Sequence, residues 1–223
     1  LFRSAAIVGY TNAGKSSLLN AVAGSLVLAE DKLFATLDAT TRRLELPGGG
    51  AILLTDTVGF VRNLPHGLVE AFKATLEEAT LADLLVHVVD ASDPEHERHA
   101  ATTAEVLEEI GAQDVPEVLV LNKVDLVDAE RLEDFRRKHP HSIFVSTRTG
   151  VGLEALASRI NEVLRAGDTE RDYLIPYAEH ALVSLLHREA QVISEVQDDE
   201  GTRIRCRVPE KLESKLEKFR IER

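Results

Sequence analysis

One stretch near the start of the chain contains the residue types that a phosphate-binding loop needs. It reads Gly9-Tyr10-Thr11-Asn12-Ala13-Gly14-Lys15-Ser16 and fits GxxxxGK[ST] in full, between an apolar run ending at Val8 and a helical pattern starting at Lys15. Glycines let backbone N–H groups wrap phosphates, and a helix N-terminus adds positive potential. We therefore expect Lys15 to reach the β- and γ-phosphates of a nucleotide and assist catalysis, and the Ser16 hydroxyl to ligate Mg²⁺.

Three further polar motifs each follow an apolar run, and together they predict guanine as the base. The Asp56 carboxylate of Asp56-Thr57-Val58-Gly59 can hold a Mg²⁺-bound water, and the Gly59 N–H can meet the γ-phosphate during catalysis. In Asn122-Lys123-Val124-Asp125, the Asp125 carboxylate can accept from guanine N1–H and the 2-amino group, which adenine lacks. Ser146-Thr147-Arg148 can direct a backbone N–H at guanine O6. In α/β sheets, ligands bind at this carboxyl edge of the strands.

The elements that must position these motifs alternate between strand and helix over residues 1–166. Short runs rich in Val, Ile and Leu predict buried strands at 5–8, 51–55, 84–90, 117–121 and 142–145. Helical spacing predicts helices at 15–23, 67–80, 95–110, 128–138 and 152–165. Residues 42–46 alternate polar and apolar before a triple-glycine turn, so one strand is expected to pair antiparallel. The pattern predicts a doubly wound α/β domain with a mostly parallel six-stranded sheet and helices on both faces.

A different pattern follows residue 166. Residues 167–172 are polar and are interpreted as a linker. Residues 177–190 and 210–219 have helical character, and strands at 191–196 and 202–208 flank a turn that ends in Gly201. We therefore predict a small α+β domain over residues 173–223.

Composition narrows the classes of protein that remain. The 223 residues include 26 Lys and Arg against 38 Asp and Glu, a net charge of −12, which disfavours generic nucleic-acid binding. No apolar run approaches the roughly 20 residues of a membrane helix, so we expect no membrane span. A single cysteine, Cys206, favours a reducing compartment. We expect a cytoplasmic monomer and, since Met is absent, a fragment of a longer protein.

The sequence resembles the HflX family of ribosome-associated P-loop GTPases, in the translation-factor class. The resemblance rests on residues 33–38 with Thr40-Thr41-Arg42, and on residues 56–66, 68–73 and 75–79. It implies a P-loop GTPase fold, GTP or GDP as ligand, and the large ribosomal subunit as partner in ribosome splitting or rescue. It also implies that an N-terminal region preceding this chain makes most of the rRNA contact.

The resemblance further implies a switch-I threonine that completes the Mg²⁺ shell and takes part in catalysis. Thr36 fits this position through Phe34-Ala35-Thr36-Leu37-Asp38, all of which are expected at the nucleotide, and Thr40 and Thr41 are rivals that spacing does not separate. In K⁺-stimulated relatives, an Asn at the position of Asn12 helps to coordinate a monovalent cation. The alternative for Asn12 is a loop residue that stabilises a turn.

Phe60 follows Gly59 where Ras-type GTPases have a water-orienting Gln, so hydrolysis is expected to be slow without an activator. Alternatives to the ribosomal role are a GTPase of ribosome assembly or tRNA modification, a non-catalytic nucleotide-dependent binding switch, and an ATPase. Asp90, Asp93, His96 and His99 could suggest a metal site. No strict ligand spacing is met, so we interpret Asp93 as a helix N-cap with Pro94 at the first helical position.

Overall fold

The computed structural model describes residues 3–24, 39–47, 50–59 and 77–221. Six strands of this part form one sheet: β1 (Arg3–Val8), β2 (Thr40–Glu45), β3 (Ala51–Asp56), β4 (Leu84–Asp90), β5 (Glu117–Asn122) and β6 (Ile143–Phe144). Their order in the sheet is β2-β3-β1-β4-β5-β6. All neighbours pair in parallel except β2, which runs antiparallel to β3. The predicted sheet is thus confirmed.

Helices cover both faces of this sheet, because its central strands are apolar on both sides. Ile7 of β1 packs in one core cluster with residues of the first and fourth helices, whereas Val8 packs in another with residues of the second. Of the helix predicted over 67–80, only residues 77–80 are described, and they are helical. The helices are α1 (Lys15–Val22), α2 (His96–Glu109), α3 (Ala129–Lys138) and α4 (Leu153–Leu164).

A second, fully antiparallel sheet follows, in the order β10-β7-β9-β8. Its core is separate from the first: buried residues of β7 and β9 pack against two helices, with Tyr173, Leu186 and Ile204 all 0% exposed. The elements are β7 (Thr169–Ile175), α5 (His180–Glu189), β8 (Gln191–Asp198), β9 (Gly201–Val208), α6 (Glu210–Leu216) and β10 (Arg220–Ile221).

Two boundaries differ from those predicted. The linker prediction over 167–172 is wrong from Thr169 onward, because β7 begins there and its polar side chains are bound rather than solvated: Thr169 and Arg171 both contact Glu213. Helix α2 begins at His96, so Asp93 is not its N-cap. The Asp93 side chain instead accepts from the Glu95 N–H at 2.8 Å, in the turn before the helix.

Within the described ranges, no helix has both the length and the apolar character that a membrane crossing requires.

The single cysteine provides a probe of the second core. Cys206 on β9 is 0% exposed, and burial, together with the Asp172 carboxylate, raises the pKa of its thiol to about 12. Because the thiolate is the reactive form, we expect labelling by Ellman's reagent at pH 8 to be at least about 100-fold slower in the native protein than in concentrated urea. A Cys206→Ala variant carrying Ser194→Cys, at an exposed position of β8, should label rapidly without urea. Equal native and unfolded rates for Cys206 would contradict its burial.

Candidate nucleotide-binding site

The phosphate-loop motif connects β1 to α1 and lies close to neighbouring strands at two glycines. A Cβ added to Gly9, which has φ of 146°, would lie 2.3 Å from Val88 O. A Cβ on Gly14, with φ of 95°, would lie 2.3 Å from Asn122 Nδ2. Both positions combine positive φ with close contact, so a larger residue would have to displace the loop. These glycines therefore let the loop lie directly against β4 and the end of β5.

Lys15, the first residue of α1, is buried in this loop. Its Nζ donates to Gly9 O and Tyr10 O, each at 3.1 Å, and the residue is 7% exposed. Burial lowers the pKa of Lys15 to about 8, and the nearby Asp56 carboxylate opposes this shift. The side chain is therefore held inside the curve of the loop, where an anion would favour its charged form.

The second motif lies beside the loop. Ser16 Oγ donates to Asp56 Oδ2 at 2.6 Å, and Asp56 is 1% exposed at the end of β3. A Cβ added to Gly59 would come within 3.0 Å of Lys15 Nζ, so the Gly59 backbone adjoins the phosphate-loop lysine. Thr57 faces inward and donates to Ile7 O at 2.6 Å. A hydroxyl and a carboxylate side by side are the hard oxygen donors that suit Mg²⁺.

The third motif reaches the phosphate loop through two side chains. Asn122, which is 0% exposed, donates from Nδ2 to Ala13 O at 2.9 Å. Lys123 has φ of 62°, and its Nζ lies 2.9 Å from Asn12 O and 2.7 Å from Asp90 Oδ2. The strand end of β5 thus fixes the phosphate loop from one side.

The fourth motif, residues 146–148, contacts the third, residues 122–125. Ser146 Oγ donates to Asp125 Oδ1 at 2.7 Å, and the Thr147 N–H approaches Asn122 Oδ1 at 3.4 Å. Asp125 lies in a 3₁₀ turn over Val124–Leu126. Arg148 is 4.0 Å from Asp125 Oδ2 with a side chain that is 80% exposed, so its guanidinium group is largely solvated. The carboxylate of Asp125 is oriented and partly buried, and it lies beside the backbone of residues 146–148. Such a carboxylate can accept hydrogen bonds from the edge of a base.

Several predicted site residues are outside the described part of the chain: Phe34, Ala35, Thr36, Leu37, Asp38 and Phe60. The rivals of Thr36 are described, and both lie in β2. Thr40 pairs in register with Asp56, and Thr41 Oγ1 lies 2.9 Å from Thr55 Oγ1.

The sequence-based prediction missed the contacts that Asp90 and His99 make with the site. Asp90 binds Lys123, and the His99 ring stacks on Tyr10. The position of Asp90 at the end of a predicted strand was a usable signal, whereas no local pattern indicates a ring stack across 89 positions of sequence, from 10 to 99.

Solved structures with a similar fold are GTP-binding proteins. A GTP-binding protein from Sulfolobus solfataricus in complex with GDP is 31% identical with a TM-score of 0.58, and the match covers 74% of this chain and 53% of that one. A variant of Era from Aquifex aeolicus bound to GDP·AlF4− is 27% identical with a TM-score of 0.55, covering 73% and 56%. The six-stranded sheet with its strand-loop-helix motif has the fold of the P-loop GTPases.

Sequence comparison defines the family. A model of the family described as 50S ribosome-binding GTPase matches residues 4–123. GTPase HflX of Akkermansia muciniphila is 53% identical over 225 residues, covering 99% of this chain and 52% of that protein. GTPase HflX of Escherichia coli is 39% identical over 198 residues, covering 88% and 46%. The chain therefore belongs to the 50S ribosome-binding GTPases and, among them, to the HflX family. It spans about half the length of the curated relatives it matches.

Burial of Lys15 should make the free protein less stable at neutral pH. The unfolded chain binds the Lys15 proton up to about pH 10.5, the folded chain only to about 8, so stability rises with pH through that window. We expect Lys15→Met to raise the free energy of unfolding by about 1–3 kcal/mol at pH 7, an advantage that shrinks between pH 8 and 10.5. Urea unfolding of nucleotide-free protein in EDTA measures this.

Lys211→Met, at an exposed position of α6, is the matched control and should change stability by less than about 0.5 kcal/mol. Destabilisation by Lys15→Met at pH 7, without pH dependence, would contradict the lowered pKa.

Proposed function

We propose that this chain binds GTP with Mg²⁺ and hydrolyses it to GDP and phosphate, as the GTPase part of a protein acting on the large ribosomal subunit in ribosome splitting or rescue. One observation carries the catalytic part of this proposal. Four motifs spread over residues 9–148 meet at one edge of the sheet, and Asn122 joins the phosphate loop to the base motifs. The family description, 50S ribosome-binding GTPase, supports the ribosomal part.

Guanine selection is assigned to the carboxylate of Asp125. Ser146 orients it through a 2.7 Å hydrogen bond to Oδ1, which keeps a second lone pair, so the two oxygens can accept from guanine N1–H and the 2-amino group. An adenine would leave that carboxylate unpaired at the base, which is why such sites discriminate strongly. The Thr147 backbone lies next to Asn122 and is our candidate to meet guanine O6.

Phosphate binding is assigned to the loop amides and Lys15, and metal binding to Ser16, Thr36 and, through water, Asp56. The Ser16 hydroxyl and the Asp56 carboxylate fit Mg²⁺ because they are adjacent hard oxygen donors. When bound, Mg²⁺ would supply neutralisation of phosphate charge.

The reaction is attack of water on the γ-phosphorus with rupture of its bond to the β–γ bridging oxygen, which leaves with GDP. Lys15 stabilises the charge that develops on the transferred group, and the Gly59 N–H, adjacent to Lys15, is our candidate donor to the γ-phosphate. Thr36 is our switch-I candidate. Asn12, with φ of 60°, is the candidate for K⁺ coordination.

At the level of the whole protein, we propose a G domain over residues 1–166 followed by a small α+β domain, the latter beginning at β7. The separate hydrophobic core of the second sheet supports this division. We further propose a cytoplasmic monomer that contacts rRNA mainly through a region outside this chain. Co-sedimentation of the full-length protein with purified subunits, with GTP or GDP, tests the partner. Binding to assembly intermediates or tRNA instead would favour another ribosome-related role.

Asp125→Asn should exchange base specificity. The amide places a donor where xanthine has an oxygen, so we expect GTP affinity to fall by about 100-fold and xanthosine triphosphate affinity to rise, because a charged bidentate contact is lost. Isothermal titration with both nucleotides measures the change. Glu105→Gln, exposed on α2, is the control and should leave both affinities unchanged. Unaltered GTP affinity in Asp125→Asn would remove Asp125 from the site.

Hydrolysis by the chain alone should be slow. Phe60 offers no hydrogen bond to the attacking water, so we expect turnover on the order of 10⁻⁴ s⁻¹, the unassisted scale of Ras-type GTPases. Large subunits should accelerate the full-length protein more than this chain. Replacing Na⁺ with K⁺ tests Asn12, since acceleration lost in Asn12→Ala would support a cation site. Fast hydrolysis without ribosomes or K⁺ would show that Phe60 is misinterpreted, and none in any condition would favour a binding switch.

A further inference from the structure

An aromatic stack connects the phosphate loop to a helix that carries none of the four motifs. The ring of Tyr10, the second residue of the loop motif, lies parallel to the ring of His99 in α2, with centroids 3.9 Å apart and an interplanar angle of 6°. Both side chains are partly buried. Stacked pairs at this separation contribute beyond the area they bury, so the loop position and the helix position are coupled.

The His99 ring is itself held in place. Its Nδ1 lies 3.4 Å from Asp93 Oδ2 and its Nε2 lies 4.0 Å from Glu95 Oε2. Asp93 is fixed in turn, because its Oδ1 accepts from the Glu95 N–H at 2.8 Å and its carbonyl accepts from Arg131 at 3.0 Å. The ring thus presents a fixed face to Tyr10.

The same short turn, residues 90–93, is also linked to the loop through Lys123. Asp90 at its start pairs with Lys123 at 2.7 Å, and Lys123 donates to Asn12 O at 2.9 Å. Asp90 is oriented by Ser92, whose N–H and hydroxyl both donate to Asp90 Oδ1. Two loop positions are therefore connected to one turn: Tyr10 through His99, and Asn12 through Lys123.

A small cavity adjoins the stack. A cavity of about 30 Å³ lies between the loop, β4 and α2, large enough for one water. Its walls include Tyr10, His99 and His87, and the Nε2 of the buried His87 has no hydrogen-bond partner within the described residues. Removal of the His99 ring would enlarge this space directly behind Tyr10.

We propose that His99 is a positioning residue for the phosphate loop, acting through its stack on Tyr10 and oriented by Asp93. The inference rests on the proposed nucleotide site and adds a residue outside its motifs. It also assigns a role to Asp90, Asp93 and His99, which could suggest a metal site by residue type. Among the described residues, no group of three or more His, Cys, Asp or Glu side chains could hold a metal ion.

The test compares ligands that differ only in phosphate number. Because His99 acts on the loop and not on the base motifs, His99→Ala should weaken GDP binding by about three- to tenfold while leaving the affinity for guanosine, which has no phosphate, unchanged. His99→Phe keeps a ring against Tyr10 and should recover most of the GDP affinity. Glu105→Ala, exposed further along α2, is the matched control and should bind both ligands like the wild type. Displacement of a fluorescent GDP analogue from the intact chain measures all four proteins.

A double-mutant cycle with Tyr10→Ala adds a second criterion. Loss of the same contact in both single variants predicts that the double variant binds GDP no more weakly than the weaker single variant. Strictly additive losses, unchanged GDP affinity in His99→Ala, or equal losses for GDP and guanosine would each overturn the positioning role. Failure of the wild type to bind GDP at all would instead overturn the proposed function itself.

Discussion

The buried amide of Asn122 is the contact on which the rest of the site depends. Its Nδ2 donates to Ala13 O, its Oδ1 faces the Thr147 N–H, and its backbone carbonyl accepts from the Ala91 N–H. One residue at the end of β5 thereby joins the phosphate loop, the loop over residues 146–148 and the turn after β4. The amide reaches the loop only because Gly14 has no side chain, since a Cβ there would lie 2.3 Å from Nδ2. Replacing either residue would leave buried polar groups without partners, so glycine and asparagine are required as a pair.

This constraint explains why polar groups are concentrated where the fold is most buried. Lys15, Asp56 and Asn122 are each less than 10% exposed, at or beside the edge of a sheet whose other buried residues are almost all apolar. Burying a lysine costs free energy, as the lowered pKa of Lys15 indicates, and the cost is offset by carbonyl partners and the Asp56 carboxylate. The parallel strands end together, so their terminal polar residues share one region without interrupting the apolar core. The buried ammonium group of Lys15 is unfavourable in the free protein, and a phosphate ligand beside it would stabilise its charge.

Local patterns predicted most of the first sheet, and long-range contacts account for what they missed. Strands such as β4 are mostly apolar, and the polar motifs that follow the predicted strands indicated which edge of the sheet carries the site. The start of β7 was not predicted because its first residues are polar, and they belong to a strand through pairing with β9, in which Thr169 aligns with Val208 and Arg171 with Cys206. Asp93 is a residue type that often caps helices, yet its carboxylate accepts from the Glu95 N–H in the turn before α2 and contacts His99. The motif residues were identifiable because phosphate and guanine chemistry dictates their types. The residues that position them were not, because many side chains can fill a stacking or bracing role.

In the second sheet, charged side chains lie on the face opposite the hydrophobic core and pair with one another. Its buried face packs on α5 and α6, while the arginines at alternate positions of β9 point away from that core. Arg203 pairs with Asp198, and Arg205 pairs with Glu170. Because these two guanidinium groups are already neutralised by carboxylates of their own sheet, they favour a solvated face over a phosphate-binding one, in a chain whose net charge is −12. The phosphate loop is the better candidate for an anion, because there the buried Lys15 lies at the N-terminus of a helix.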